Sequence, residues 1–96
     1  MNKKITAGAV GLLGALVMAP AAHADESSYL AYLQNAPYLV KTHSTQQLID
    51  EGYKVCRAMS QGKTDVQALD MVDSDLGVSE AAGAVVYSAA TAMLGC

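Results

Sequence analysis

The sequence predicts an all-α fold, a small four-helix domain stapled by one disulfide. Three observations carry that expectation. Apolar residues recur at helical spacing, and nowhere do they alternate with polar ones as in a half-buried strand. Helix-start and helix-stop residues bracket most of these stretches: Ser44 and Gly62, Thr64 and Gly77, then Ser79. The chain also carries just two cysteines, Cys56 and Cys96, and has neither Trp nor Phe to thicken a core.

The 96-residue chain opens on a segment that reads as a targeting signal. Lys3 and Lys4 form a basic start, and an uncharged Gly/Ala/Leu/Val-rich run extends from Ile5 to Ala19. Pro20 then leads into Ala22-His23-Ala24, an A-x-A pattern for signal peptidase. Cleavage is expected between Ala24 and Asp25, so that 1–24 is a removed signal peptide and 25–96 a secreted helical domain. The apolar run falls short of the roughly 20 residues a membrane span needs. No cysteine follows the cleavage site, which argues against a lipid anchor, and there is no twin arginine. His23 belongs to the discarded segment and is left out of any active site.

The first helix is expected around Ser27–Gln34, where Tyr29, Leu30, Tyr32 and Leu33 crowd one short stretch. Asn35-Ala36-Pro37 ends it, because proline lacks an amide donor and disfavours helix in the residue before it. A loop is expected through Tyr38–His43. Ser44 then caps the second helix, with Gln47 three residues on in the capping-box pattern. At 100° per residue, Leu48, Ile49, Gly52, Tyr53, Val55, Cys56 and Met59 share an arc of about 160°. Gln47, Asp50, Glu51, Lys54 and Arg57 fill the opposite one. Gly52 on the apolar arc predicts close approach of another helix, and Gly62 a left-handed stop. Thr64 caps the third helix, again with a glutamine three residues on, and Gly77 stops it. Its expected apolar stripe is Val66, Leu69, Val72 and Leu76, with Asp65, Asp70, Asp73 and Asp75 toward water. Ser79 caps the fourth, whose strongest face is Ala82, Val85, Val86, Ala89 and Met93. From Ala81 to Cys96 there is no charge. That stretch is too short and too diluted by small residues to span a bilayer, so it reads as a helix contacted on several sides.

Residues 25–96 keep four cations (Lys41, Lys54, Arg57, Lys63) against nine carboxylates, a net charge of −5. That balance argues against nucleic acid, whose phosphates need clustered Lys and Arg, and against attraction to anionic lipid. A domain of this size has little core to hold it. Two cysteines in an oxidising compartment are then most simply a Cys56–Cys96 disulfide. Closing a loop of about 40 residues destabilises the unfolded chain by roughly 4 kcal/mol in the chain-entropy view. A catalytic thiol would need a base, and His43 is the one histidine available. A metal centre would need three or four close ligands, so no cofactor and no metal are expected.

Asp70, Asp73, Asp75 and Glu80 do not match the offsets of a calcium loop, and a solvated helix face accounts for them better. No nucleophile elbow, phosphate-cradling glycine loop or zincin motif is present. Tyr38 and His43 flank the one substantial loop and carry atoms that ligate haem iron elsewhere. The simpler reading is a loop tyrosine over the core and an exposed histidine.

These residues carry a resemblance. A secretion signal, then "YLAYLQ", then "LIDEGYKVCRAMSQG" from Leu48 to Gly62, and an Ala/Val helix ending in Cys96 resemble the small secreted mycobacterial and actinobacterial domain of unknown function DUF 732. The resemblance implies an exported helical protein with a disulfide and brings no catalytic residues with it. The function expected is that of a non-enzymatic interaction module at the cell envelope or outside the cell, with a protein or envelope partner. The alternative is a carrier of a small apolar ligand or haem.

Overall fold

The computed structural model describes residues 25–96, and within them every regular element is helical. The expected signal peptide and its cleavage residue Ala24 lie outside the described residues.

Helix α1 (Glu26–Tyr32) is opened by Asp25, whose carboxylate accepts from Ser28 N–H at 3.0 Å and from Ser28 Oγ at 2.8 Å. The same residue's N–H donates to the Met93 carbonyl at 2.8 Å, tying the head of the domain to the end of its last helix. A 3-10 turn, Leu33–Asn35, follows. The chain then departs from the sequence expectation. The expected loop over Tyr38–His43 is mostly helix α2 (Pro37–Thr42), with Pro37 in its first turn. Proline stops a helix behind it but suits the first position of the next one, where its missing N–H has no partner to lose. Fully buried Leu39 anchors this short helix to the core.

Helix α3 (Thr45–Ser60) begins at Ser44, which accepts from Gln47 N–H at 3.1 Å. Helix α4 (Asp65–Leu76) has the reciprocal box in full. Thr64 Oγ1 accepts from Gln67 N–H, and Gln67 Oε1 accepts from Thr64 N–H at 2.9 Å. Helix α5 (Glu80–Met93) starts at Ser79, which accepts from Ala82 N–H at 3.3 Å. Gly62 and Gly77 adopt φ of +83° and +64°, the left-handed stops expected of them.

Helix α5 is the central one, packed against α1, α3 and α4. Tyr29, Leu33, Leu39, Leu48, Val55, Val72 and Val86 are fully buried around it. Gly52 is what allows α3 to sit this close. A Cβ there would lie 2.6 Å from Leu94 Cδ1 and 2.7 Å from Tyr29 Cζ, and the Tyr29 hydroxyl donates to the Leu48 carbonyl one turn away. The disulfide joins α3 to the tail after α5, with Cys56 and Cys96 Cα atoms 5.0 Å apart across a separation of 40 residues.

Three buried faces differ from the expected ones. On α4 the core line is Ala68, Val72 and Leu76, while Val66 is 62% exposed. Ala68 lies one helical turn before Val72, and Val66 falls on the far side of that line. On α5 the buried residues are Gly83, Val86, Ala89 and Ala90, with Ala82, Val85 and Met93 half-buried beside them. On α3 the stripe Leu48, Val55 and Ala58 also takes in Glu51, which is 7% exposed instead of facing water.

Candidate functional site

The turn between α3 and α4 builds the most distinctive surface. With Gly62 left-handed, Gly62 N–H donates to the Met59 carbonyl and Lys63 N–H reaches back to Ala58, each at 3.1 Å. This closure folds Lys63 against the end of α3. Helices α3 and α4 then lie side by side over an open groove of about 520 Å³. Its walls carry Lys54 and Arg57 from α3, Gln61 and Lys63 from the turn, and Gln67 and Asp70 from α4, over an apolar base of Ala58 and Met71. Three of the four cations in residues 25–96 therefore meet in one groove of a domain whose net charge is −5.

The three are not equivalent. Lys54 Nζ pairs with Asp75 Oδ2 at 2.7 Å, the one ion pair among the described residues. That hydrogen bond and the Asp75 charge raise the Lys54 pKa above its usual value. Burial works against the Asp75 charge, but hydrogen bonds from Lys54 and Glu51, with the Lys54 charge, outweigh it and hold its carboxyl below the ordinary range. Glu51 is the reverse. Burial first, then the hydrogen bond to Asp75 and that residue's charge, push it up to about 8, so at neutral pH it is a protonated carboxyl donating to Asp75. Its Oε2 has no hydrogen-bond partner among the described residues, which a neutral acid tolerates far better than a carboxylate. Among the described residues Arg57 and Lys63 form no ion pair.

A second open cleft, about 610 Å³, runs along the disulfide between Tyr53, Met59, Ser60 and Gly95. Tyr53 Oη donates to Glu26 Oε2 at 2.8 Å above it.

The residues singled out from sequence are dispersed. Tyr38 is 60% exposed on α2. His43, expected in the open, is half-buried, and both ring nitrogens are engaged. Nε2 lies 2.9 Å from the Leu76 carbonyl, and Nδ1 lies 2.9 Å from Thr42 Oγ1 and 3.2 Å from the Leu39 carbonyl. The imidazole thus latches the end of α2 to the end of α4. The aspartates of α4 part company: Asp70 lines the groove, Asp75 pairs with Lys54, and Asp73 lies against Gly83 of α5 with Oδ1 buried and without a hydrogen-bond partner among the described residues. Burial, then the charges of Glu80 and Asp70, raise the Asp73 pKa. Asp73 was expected in water, and Gly83, lacking a side chain, is what admits its carboxylate. Among the described residues no three His, Cys, Asp or Glu side chains are grouped to hold a metal ion.

Sequence reasoning missed the cation groove because Lys54 and Arg57 read as ordinary polar-face residues and Lys63 as a loop residue. The signal available was the pair at i and i+3 followed by a lysine directly after the helix-ending glycine.

Against known proteins, the family described as protein of unknown function (DUF732) matches residues 24–96. The chain belongs to the DUF732 family. No curated protein and no solved structure shows a significant match to it. Within this DUF732 chain the stretch Leu48 to Gly62 contributes Gly52 beneath Tyr29, Cys56 to the disulfide, Arg57 to the groove and Gly62 to the turn beside it.

Proposed function

We propose that the chain is an exported, non-catalytic interaction module that receives an acidic partner in the groove between α3 and α4. One observation carries this reading: an acidic domain concentrates Lys54, Arg57 and Lys63 in a single groove with Asp70, and among the described residues Arg57 and Lys63 form no ion pair. Such cations beside an apolar base of Ala58 and Met71 form a surface that gains from a complementary anion. Both grooves lie open at the surface, whereas an apolar cargo is better served by an enclosed cavity, which favours the interaction module over the carrier alternative. The haem variant of that alternative is weakened further by the latch that occupies His43. Export is supported by the basic start and A-x-A pattern of residues 1–24, and by the use of Asp25, the first residue beyond it, as the cap of α1.

A photo-reactive side chain at Gln67, in the groove, is compared with one at Thr45, exposed at the start of α3. In the producing cell, the Gln67 probe should yield a discrete adduct that the Thr45 probe does not. Identical labelling from both positions, or none from Gln67, would defeat the assignment of this face.

A further inference from the structure

We infer that the Cys56–Cys96 disulfide is an exchangeable bond with one reactive end: a small-molecule thiol attacks Cys96 and stays there as a mixed disulfide, while Cys56 leaves as a free thiol. The two sulfurs differ in access. Cys56 is half-buried on α3 and packs against the core. Cys96 is exposed, two residues beyond buried Leu94. Both border the open cleft of about 610 Å³, so the bond between them is reached from solvent. A thiolate attacks in line with the S–S bond and needs room behind the sulfur it strikes, so access selects Cys96.

The step balances as an exchange. The incoming thiolate bonds to Cys96 Sγ as the bond from Cys96 Sγ to Cys56 Sγ breaks. The electron pair of the broken bond leaves on Cys56, which takes a proton from water. One disulfide replaces another, and no further oxidant or reductant is consumed. The co-reactant is a low-molecular-weight thiol, and the cleft volume lies within the roughly 300–1,000 Å³ of small-molecule sites.

What the exchange releases is small. Leu94, 5% exposed, fills the space over Gly52, and its N–H donates to the Ala90 carbonyl at 3.0 Å. The Met93 carbonyl accepts from Asp25 N–H. None of these contacts involves the disulfide, so α5 keeps its seat on α1 and α3 when the bond opens. Gly95, at φ +82°, is the bend that carries Cys96 back to Cys56, and both residues are exposed. They become a free arm bearing the adduct. Cys56 stays on its helix with Sγ 4.0 Å from the Ala90 carbonyl, a weak partner for the new S–H. Opening the bond thus lowers stability chiefly by freeing the unfolded chain, and the native fold persists.

The folded, disulfide-intact chain is incubated with excess glutathione at mildly alkaline pH, quenched at intervals with N-ethylmaleimide and mapped by tandem mass spectrometry. The trapped species should carry glutathione on Cys96 and maleimide on Cys56, at about tenfold or more over the reverse isomer. Its rate of appearance should be flat across sub-denaturing urea, and circular dichroism should keep the native helix signal. Two single-cysteine variants give an independent reading. Cys56→Ser, which leaves Cys96 free, should react with oxidised glutathione about tenfold or more faster than Cys96→Ser. Equal adducts at both cysteines, glutathione chiefly on Cys56, or exchange that begins only as urea unfolds the chain would overturn the inference. So would failure to trap any mixed disulfide, or equal reactivity of the two variants with the helix signal retained in both.

Discussion

Glu51→Gln is expected to stabilise this protein, and by an amount that grows with pH. Glu51 is 7% exposed in the core-facing stripe of α3, and its pKa is pushed from an ordinary 4.5 to about 8. Because the folded value is the higher one, the native state holds a proton that the unfolded chain releases once the pH passes 4.5. Stability therefore falls between pH 4.5 and 8, at up to about 1.4 kcal/mol per pH unit, and levels off above. By pH 7 the accumulated cost is about 3 kcal/mol for Glu51 taken alone. The opposite shift of Asp75 does not offset this, because the stability it contributes is lost only as pH falls below the ordinary carboxylate range. Glutamine keeps an N–H donor toward Asp75 and carries no ionisable proton, though burying its amide costs part of the gain. The net expectation is about 2 kcal/mol of added stability at pH 7 and a slightly less stable variant at pH 4.5, where the amide cost stays and the gain is gone. Urea unfolding followed by circular dichroism in half-unit steps from pH 4.5 to 9 measures both curves. A wild-type curve parallel to that of Glu51→Gln, or a variant less stable than wild type at pH 7.5, would refute the buried protonated carboxyl.

Gly83→Ala should destabilise the fold by no more than about 1 kcal/mol, because the new methyl would displace the Asp73 carboxylate, the end of a side chain able to turn aside, while alanine regains about 1 kcal/mol of helix propensity. Most of that loss should return in the Asp73→Ala, Gly83→Ala double variant, and additive losses in thermal melts would show that the two side chains do not compete. Reduction of the Cys56–Cys96 disulfide, or Cys56→Ala, should lower the unfolding free energy by about 2–5 kcal/mol. Alkylation of the unreduced, unfolded chain should add no mass, and two modified thiols would contradict the disulfide. Intact-mass analysis of exported material should find a chain beginning at Asp25, and a cytosolic protein retaining Met1 would remove the argument for secretion.

Much of the fold was legible residue by residue. Ser44, Thr64 and Ser79 mark three helix starts because a cap is a hydrogen bond to an amide three residues on. Gly62 and Gly77 mark helix ends because a left-handed residue there avoids a Cβ penalty. Gly52 was readable as a close-approach site because a glycine on an apolar stripe has little other use, and Tyr29 and Leu94 fill the space it leaves. Pro37 misled because its two roles, ending α1 and opening α2, have the same local appearance. The candidate groove was not legible at all. Its cations are ordinary exposed residues until the Gly62 turn and the pairing of α3 with α4 bring them together.

The sequence by itself determined the helical class, the caps and stops of the long helices, and a pair of cysteines with no other thiol to choose. Each of these is written in contacts a few residues apart or in composition. Only the tertiary structure decided which side of each helix is inside, and with it the burial of Glu51, the seat of Asp73 on Gly83 and the latch of His43 on Leu76. A helix turns 100° per residue, so a stripe diluted with alanine, glycine and valine tolerates a rotation of one position at little cost in apolar area. The partners that settle it lie tens of residues away: Leu94 for Gly52, Asp75 for Lys54, and Leu76 for His43.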